Sequence, residues 1–594
     1  MSYDLLFRRA VDFHQNGEFD KAEMLYRQIL ETVPENPEVL NLLGLIAQIK
    51  GIHQEAAGLF YRAIKADGSR APFHFNLGIS LNCWNKPYEA LEAFSRAAEL
   101  DSSLKEAWLQ IGNIRQELHQ TAEAEKAYDR ALKIDPGYAE AQLRKILLAP
   151  QTALSQLQTL QKQFPEEPLI DFELARIFLA RNDYPSAQLH ARKAVRSLPD
   201  SSEPLTLLGQ ACLAGGQITE AENCFTSALQ ISPNDIFALI NLANIETGNQ
   251  QYELAEAHYR RAIELDAKNF DARLNHGTLL YRQQRLSEAL EEYRQAVILN
   301  PKSAEASNNL GLILRDIREY EEALGLFFNA YALNPELEEI SVNLAETLTL
   351  YHRQEPQTAL KIAENWLRQA PENVFAAHTV AALGGKAAEN DCAYAQKLFD
   401  HFAGSYDATL RQIQYALPQE ISRRLGNVQG KILDLGCGTG LLGECLKTSE
   451  NRITGIDLSA EMLKRAETKN IYEQLIKTDI ISYLSAPHPS FNQITAADVF
   501  CYFSDLRPIL EKCFPTPVCF SVEDGDSEKN WQIAPSGRYR HSVRYVNKLL
   551  SSLGYTSIQR YSLPLRHENG TEVRGTLFIA GTPKEKTDAQ RRAD

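Results

Sequence analysis

The sequence is short of several features that would settle a function at once. Its nine cysteines are scattered and never stand as paired CxxC, so neither a zinc site nor a disulfide framework is indicated and reduced thiols fit best. No apolar run approaches the ~18 residues that a membrane helix needs. The opening residues, MSYDLLFRRAVDFHQNGEFD, carry charges inside their first apolar turn and offer no cleavage-site pattern. Basic excess is missing too: the formal net charge is −15, which argues against broad nucleic-acid binding, since that draws on basic surface to displace counterions. These absences predict a soluble, cytoplasmic protein without a membrane, nucleic-acid or metal partner. Its 594 residues are long enough for at least two domains.

What is present first is a repeat. Small residues recur 34 apart at Ala10, Gly44, Gly78 and Gly112, and again at Ala22, Ala56, Ala90 and Ala124. The second series resumes at Ala187, Ala221, Ala255, Ala289 and Ala323. The step from Ala124 to Ala153 is 29, which predicts one unit short in its first helix, and the step from Ala323 to Ala359 is 36, which predicts a small insertion. Aromatics keep phase four residues after the second series, at Tyr26, Phe60, Phe94, Tyr128, Phe225, Tyr259, Tyr293 and Phe327. Prolines close the units, because proline lacks the N–H that continues a helix. Small residues allow two helices to approach, and the aromatic is expected to fill the gap toward the next pair.

This period and signature resemble the tetratricopeptide repeat, a helix-turn-helix unit. About eleven units are expected over residues 3–373, stacked as a superhelix with a long concave face. Asn241, Asn275, Asn309 and Asn343 lie 34 apart, and Asn76 shares their phase. A column of asparagines on the inner helices would offer paired donors and acceptors to an extended peptide. The column is similar to the asparagine ladder in the repeat domain of O-linked N-acetylglucosamine transferase; the alternative is that asparagine suits the repeat and faces solvent.

Residues 374–400 read as a helical cap and connector. From residue 430 short apolar runs alternate with helices, in KILDLG, RITGIDLS, EQLIKTDI, FNQITAADVF and PVCFSVE. An antiparallel pair, IQRYSLPLR and VRGTLFIAG, closes the domain. The pattern predicts an α/β Rossmann-like domain over 401–583 with a seven-stranded, mostly parallel sheet, whose ligand sits at the carboxyl ends of the strands. A disordered tail is expected over 584–594.

The turn after the first of these strands reads Asp434-Leu435-Gly436-Cys437-Gly438-Thr439-Gly440. The dinucleotide fingerprint would need glycine where Leu441 stands. Asp457 ends the next strand and Asp479 the one after. Three acids at three successive strand ends around one glycine turn resemble the class I S-adenosylmethionine-dependent methyltransferases. The resemblance implies that Gly436, Cys437, Gly438 and Gly440 pass beneath the methionine and ribose parts of S-adenosylmethionine, and that Asp434 steadies the turn and the cofactor ammonium. It implies that Asp457 takes the ribose hydroxyls, Leu458 and Met462 pack on adenine, and Asp479 with Ile480 meets the adenine amine. Tyr406, in FDHFAGSYDATL, either reaches the cofactor carboxylate or packs the connector onto the sheet. The whole arrangement is similar to bacterial methyltransferases that carry tetratricopeptide repeats.

The methyl acceptor is not legible. A general base is needed only for a protonated acceptor. Asp498, Glu523, Asp524, Tyr539 and His541 are candidates by position, His541 because its unperturbed pKa suits proton transfer near neutrality. Arg538 and Arg540 are candidates for gripping a carboxylate-bearing substrate. The missing NPPY-like segment speaks against exocyclic amines of nucleic-acid bases. Three readings stay open: a protein or peptide acceptor presented by the repeats, a small-molecule acceptor with the repeats docking the enzyme to an assembly, and an adaptor with a non-catalytic methyltransferase-like domain.

Overall fold

The structure is a computed structural model that describes residues 3–388, 391–568 and 571–582; the expected tail over 584–594 lies outside the described residues. The chain divides into two compact units, 1–266 and 267–594.

The first unit is a succession of eight helical hairpins, from Tyr3–Gln15 with Phe19–Thr32 to Ile236–Gly248 with Tyr252–Leu265. The reason for the paired small and aromatic positions is visible inside each hairpin. A Cβ added at Gly44 would stand 2.7 Å from the ring of Phe60, and one at Gly78 would stand 2.7 Å from Phe94. The aromatic of the second helix therefore lies on the glycine of its own partner helix. Burying such a ring stabilises by about 1.5–3 kcal/mol. The short step in the sequence is the nine-residue helix Ala139–Leu147, where neighbouring first helices have thirteen residues. The first four hairpin turns each take one left-handed residue, at Gly17, Gly51, Asn85 and His119 with φ of 76°, 76°, 58° and 60°. These stand 34 apart, but their identities vary, so the sequence pattern hides them.

The second unit opens with three more hairpins, ending in Glu338–His352 and Pro356–Gln369. The 36-residue step is taken up in the fifteen-residue helix Glu338–His352. Helices Val374–Leu383, Asp391–Phe402, Tyr406–Gln412 and Leu417–Leu425 follow and lead into the sheet. The helix Asp391–Phe402 straddles residue 400, where the connector was expected to stop.

The sheet has nine strands: β1 Gly430–Leu435, β2 Asn451–Asp457, β3 Gln474–Lys477, β4 Gln493–Ala496, β5 Val518–Asp524, β6 Trp531–Ile533, β7 Tyr539–His541, β8 Ser557–Glu568 and β9 Thr571–Gly581. Strands run in the order β3-β2-β1-β4-β5 and are parallel. β9 joins β5 antiparallel and pairs with β8. Two strands exceed the expected seven. They form the short hairpin β6–β7, whose second strand pairs parallel with the end of β5 at Glu523↔Arg540 and Asp524↔His541. Three-residue strands are too short to show an alternation in sequence, which is why these two are absent from the expected set. Alternation sets the two faces: Leu433 and Leu435 of β1 pack with Ile494, Phe520 and Leu549, while Ile432 packs with Leu417, Ile421 and Leu446. Chain order reverses between β1 and β4, so the carboxyl ends of those two strands form the crevice where α/β sheets hold ligands.

Candidate functional site

That crevice holds a cavity lined by Gly436, Gly438, Asp457, Leu458, Met462, Asp479 and Ile480, with Tyr406, Asp498 and Tyr502 on other sides. The glycine turn shapes it. Gly436 has φ 63°, and a Cβ there would stand 2.6 Å from Val499. Gly438 has φ 53°, and a Cβ there would meet nothing within 4 Å. The first glycine thus admits the loop after β4, and the second leaves space beside the backbone for a ligand. Asp457 locks the turn: its Oδ2 accepts the Gly438 N–H at 2.8 Å and its Oδ1 accepts the Ser459 N–H at 2.8 Å. Burial raises its pKa, and these backbone hydrogen bonds oppose the shift. Each oxygen keeps a second lone pair for a hydroxyl donor. Asp479 caps the next helix by accepting the Ser482 N–H at 2.8 Å.

Asp434 sits deeper. It is buried and accepts hydrogen bonds from Tyr472 at 2.9 Å and Thr495 at 3.1 Å. Burial pushes its pKa up to about 7. It lines a smaller adjoining cavity together with Cys437, Gly436, Gly438 and Tyr406. Gly440 lines neither cavity; with φ 90° it caps the helix Leu441–Leu446. Tyr406 borders both cavities, its ring edge-on to Phe399 at 6.1 Å, and burial raises its hydroxyl pKa. Phe399 in turn meets Tyr502 at 5.2 Å. The helix Asp391–Phe402 is fastened here by Asp400, which accepts the Ser459 hydroxyl at 2.6 Å. Asp391, Cys392, Phe399 and Tyr502 were not foreseen as lining residues. The aromatic run CYF after β4 was the available signal for Tyr502 and Phe503.

Two expected catalytic residues are corrected. His541 is fully buried and its Nε2 donates to the Ser504 carbonyl at 3.2 Å; burial lowers its pKa to about 4. Tyr539 is also fully buried; it donates to Asp391 at 2.9 Å and accepts the Ala388 N–H at 3.1 Å. Both stand on β7, and neither borders the cavity. Asp498 does border it. Its backbone is left-handed, φ 56°, a strained conformation costing ~1–3 kcal/mol. Ser521 accepts its N–H at 2.9 Å, and Arg566 donates to both its carboxylate oxygens at 3.0 and 3.1 Å. The same guanidinium bonds Glu523, which is 2% exposed. Asp498, Cys501 and Glu523 bring ligand atoms within 4.8 Å of one another, but the arginine holds both carboxylates, so the cluster is an ion-pair network. Asp524 accepts the Thr576 hydroxyl at 2.7 Å.

The asparagine column is uneven. Asn343 is buried, its amide donating to Asn308 at 2.8 Å and its carbonyl oxygen accepting from Arg315 at 3.4 Å. Asn76 donates to Asn41 at 3.0 Å, and Asn241 donates to the Phe237 carbonyl of its own helix at 2.8 Å. Neighbouring helices engage the amides of Asn76 and Asn343, and Asn241 turns back on its own helix, so Asn343 in particular does not face outward. Asn275 and Asn309 are partly exposed.

Comparison with known proteins separates the helical hairpins from the sheet. A methyltransferase domain model matches residues 432–515. Tetratricopeptide repeat models match 7–71, 105–138, 150–202, 172–236, 240–301 and 274–338. The chain is a series of tetratricopeptide repeats joined to a class I methyltransferase domain. Among relatives, it is 26% identical over 271 residues to the human "Superkiller complex protein 3", a match covering 43% of this chain and 17% of that one. It is 31% identical over 136 residues to the "Ubiquinone biosynthesis O-methyltransferase" of Psychrobacter arcticus, covering 21% of this chain and 51% of that one. The chain thus spans about half, or less, of the length of these relatives. The crystal structure of yeast Tom70 aligns with 61% of this chain and 98% of that chain, at 15% identity and a TM-score of 0.32.

Proposed function

We propose that this protein is an S-adenosylmethionine-dependent methyltransferase whose repeats present the acceptor, a protein or peptide. The observation that carries the reading is the bond between the Gly438 N–H and Asp457 in one cavity with Leu458, Met462, Asp479 and Ile480. The donor set fits the cofactor: a carboxylate with spare lone pairs for ribose hydroxyls, apolar side chains for adenine, a second carboxylate for its amine, and an open place beside Gly438. Cys437 and Asp434 back the turn from below. When bound, the cofactor supplies an electrophilic methyl on a sulfonium, so the chain's own work is orientation and exclusion of water. Asp457 holds the turn and orients; Tyr406, Phe399 and Tyr502 shield the cavity. Of the acids considered for the chemistry, Asp498 is the one that borders the cavity. Asn275 and Asn309 are the rungs best suited to a peptide backbone. No helix among the described residues is long and apolar enough to cross a membrane, which fits the cytoplasmic location we assign.

Calorimetric titration of S-adenosylmethionine into the full-length protein and into Asp457→Ala tests the reading. Losing charge-assisted hydrogen bonds to the ligand costs ~1.5–3 kcal/mol, so binding should weaken by about 10-fold to 100-fold. A well-folded wild type that binds no cofactor would turn the interpretation toward an adaptor.

A further inference from the structure

Beside the cofactor cavity lies a second, of about 410 Å³. Its walls come from three places: Ala345 and Thr349 on the repeat helix Glu338–His352, Tyr394 and Phe402 on the helix Asp391–Phe402, and Gly537 in the β6–β7 turn. Repeat and sheet are fastened together here. Thr349 donates to the Pro535 carbonyl at 3.1 Å, and His378 Nε2 donates to the Gly537 carbonyl at 2.9 Å. Tyr502 lines both cavities, so the two adjoin at its ring. A group held in this cleft is therefore next to the cofactor, which is where a methyl acceptor has to be.

The walls narrow the class of guest. Two arginines and two carboxylates line the cleft, and all four are engaged within the chain. Arg315 pairs with Glu346 at 3.0 Å, and Asp316 accepts the Tyr281 hydroxyl at 2.6 Å. Arg538 lies 3.7 Å from Glu523 and 4.0 Å from Asp498. A charged guest would give up its hydration and find each counter-ion already taken.

What the cleft offers instead is rings: Phe375, His378, Tyr394, Phe402 and Tyr502. Several are fixed in advance. Tyr394 stacks on His378 with centroids 3.6 Å apart and meets Phe375 edge-on at 5.6 Å, and Tyr502 meets Phe399 edge-on at 5.2 Å. A tyrosine hydroxyl taken from water ordinarily finds a partner. Tyr394 and Tyr502 are partly buried, and among the described residues no group bonds to either hydroxyl. Burial raises the pKa of both, so each stays protonated near neutrality and able to donate.

We propose that this cleft is the acceptor site and that it takes a tyrosine side chain of the acceptor protein, its ring among these rings and its oxygen at a wall hydroxyl; this rests on the reading of a methyltransferase with a protein acceptor given above. The last repeats then form a wall of the site rather than a distant tether. Rings gain from edge-on and offset contacts beyond the area that they bury, and walls already fixed lose little freedom when the guest arrives.

The test uses the full-length chain saturated with S-adenosylhomocysteine, titrated by calorimetry with three blocked pentapeptides, GGYGG, GGLGG and GGKGG. The tyrosine peptide should bind at least about tenfold tighter than the other two. Ala345→Trp, which fills the cleft from the repeat side, should cost that peptide at least tenfold and leave the S-adenosylhomocysteine affinity unchanged. Equal affinities for the three peptides, or no binding of the tyrosine peptide by a wild type that binds S-adenosylhomocysteine, overturns the proposal alone. Tightest binding of the lysine peptide also overturns it, in favour of a cation held by the rings. Unchanged peptide affinity in Ala345→Trp overturns the placement in this cleft. Should Ala345→Trp not fold, Tyr394→Leu takes its place with the same expected loss, and the wild-type contrast decides in any case. Failure to bind S-adenosylhomocysteine overturns the methyltransferase reading beneath the proposal.

Discussion

In a repeat hairpin the ring and the glycine beneath it stand 16 residues apart, as Gly44 and Phe60 do. In the methyltransferase domain Arg566 reaches 68 residues back to Asp498 and 43 to Glu523. The first kind of contact is local and recurs; the second is made once, between segments that meet only after the sheet has formed. A repeat array should therefore absorb damage hairpin by hairpin, because each unit leans on its neighbours. The sheet domain should fail as a whole when its charge network is broken.

The largest effect is expected from Arg566→Met, which takes the closest cation from buried Glu523 and half-buried Asp498. Breaking a buried pair costs ~3–5 kcal/mol. Denaturant unfolding should show that loss in the transition of the sheet domain, and amide exchange over 3–266 should stay unchanged. A loss below ~1 kcal/mol, the range of an exposed pair, would remove the contrast. Phe225→Ala should cost ~3–5 kcal/mol through the cavity left on Gly209. Its faster amide exchange should be confined to the neighbouring hairpins, with cofactor affinity intact; spread through residues 430–582 would break the comparison.

Two buried titratable groups sharpen it on the pH axis. Asp434 has a folded pKa of about 7, above its unfolded value near 3.9, so its favourable contribution is complete below pH ~4 and fades as pH rises through 7. Some three pKa units correspond to ~4 kcal/mol at most. Asp434→Asn should flatten that decline in thermal melts. His541 works in the opposite sense: its folded pKa is lowered to about 4, so its contribution is present above pH ~6.5 and is lost as pH falls toward 4. His541→Gln should remove that acid-side loss. A wild-type stability flat from pH 4 to 7 that neither substitution changes would contradict both assignments.

Smaller again is Gly277→Ala. Its new methyl would stand 2.7 Å from the Tyr293 ring, and overpacking of this kind costs ~1–3 kcal/mol in denaturant titration. Asn309→Ala should be nearly silent, within ~0.5 kcal/mol of wild type, because the residue is partly exposed. Its effect should appear only in peptide binding; a large stability loss would mean that the amide packs the repeats instead.

The site was legible in unequal parts. Gly436, Gly438, Asp457, Leu458, Met462, Asp479 and Ile480 share one cavity because each follows a strand end, and strand ends are readable from alternation and turn residues. His541 and Tyr539 misled for the converse reason. Their chemistry suits catalysis, but a three-residue strand turns them inward, and nothing in SGRYRHS announces that strand. Asn343 keeps the phase of its column and is nevertheless buried, since phase fixes the face of a helix and not what the neighbouring helix places there.

By itself the sequence determined what repeats and what is local: the 34-residue period, the short unit at Ala139–Leu147, the order of strand and helix, and the glycine turn with its acids. A periodic pattern reports contacts at fixed separation along the chain, and a strand–turn–helix reports its own backbone. Only the tertiary structure decided which acids are spent on arginines, which histidine is buried, and that the last repeats and the β6–β7 turn wall one cleft. Those outcomes depend on charges and carbonyls brought together from distant segments, and their cost or gain is set by burial, which no single stretch of sequence contains.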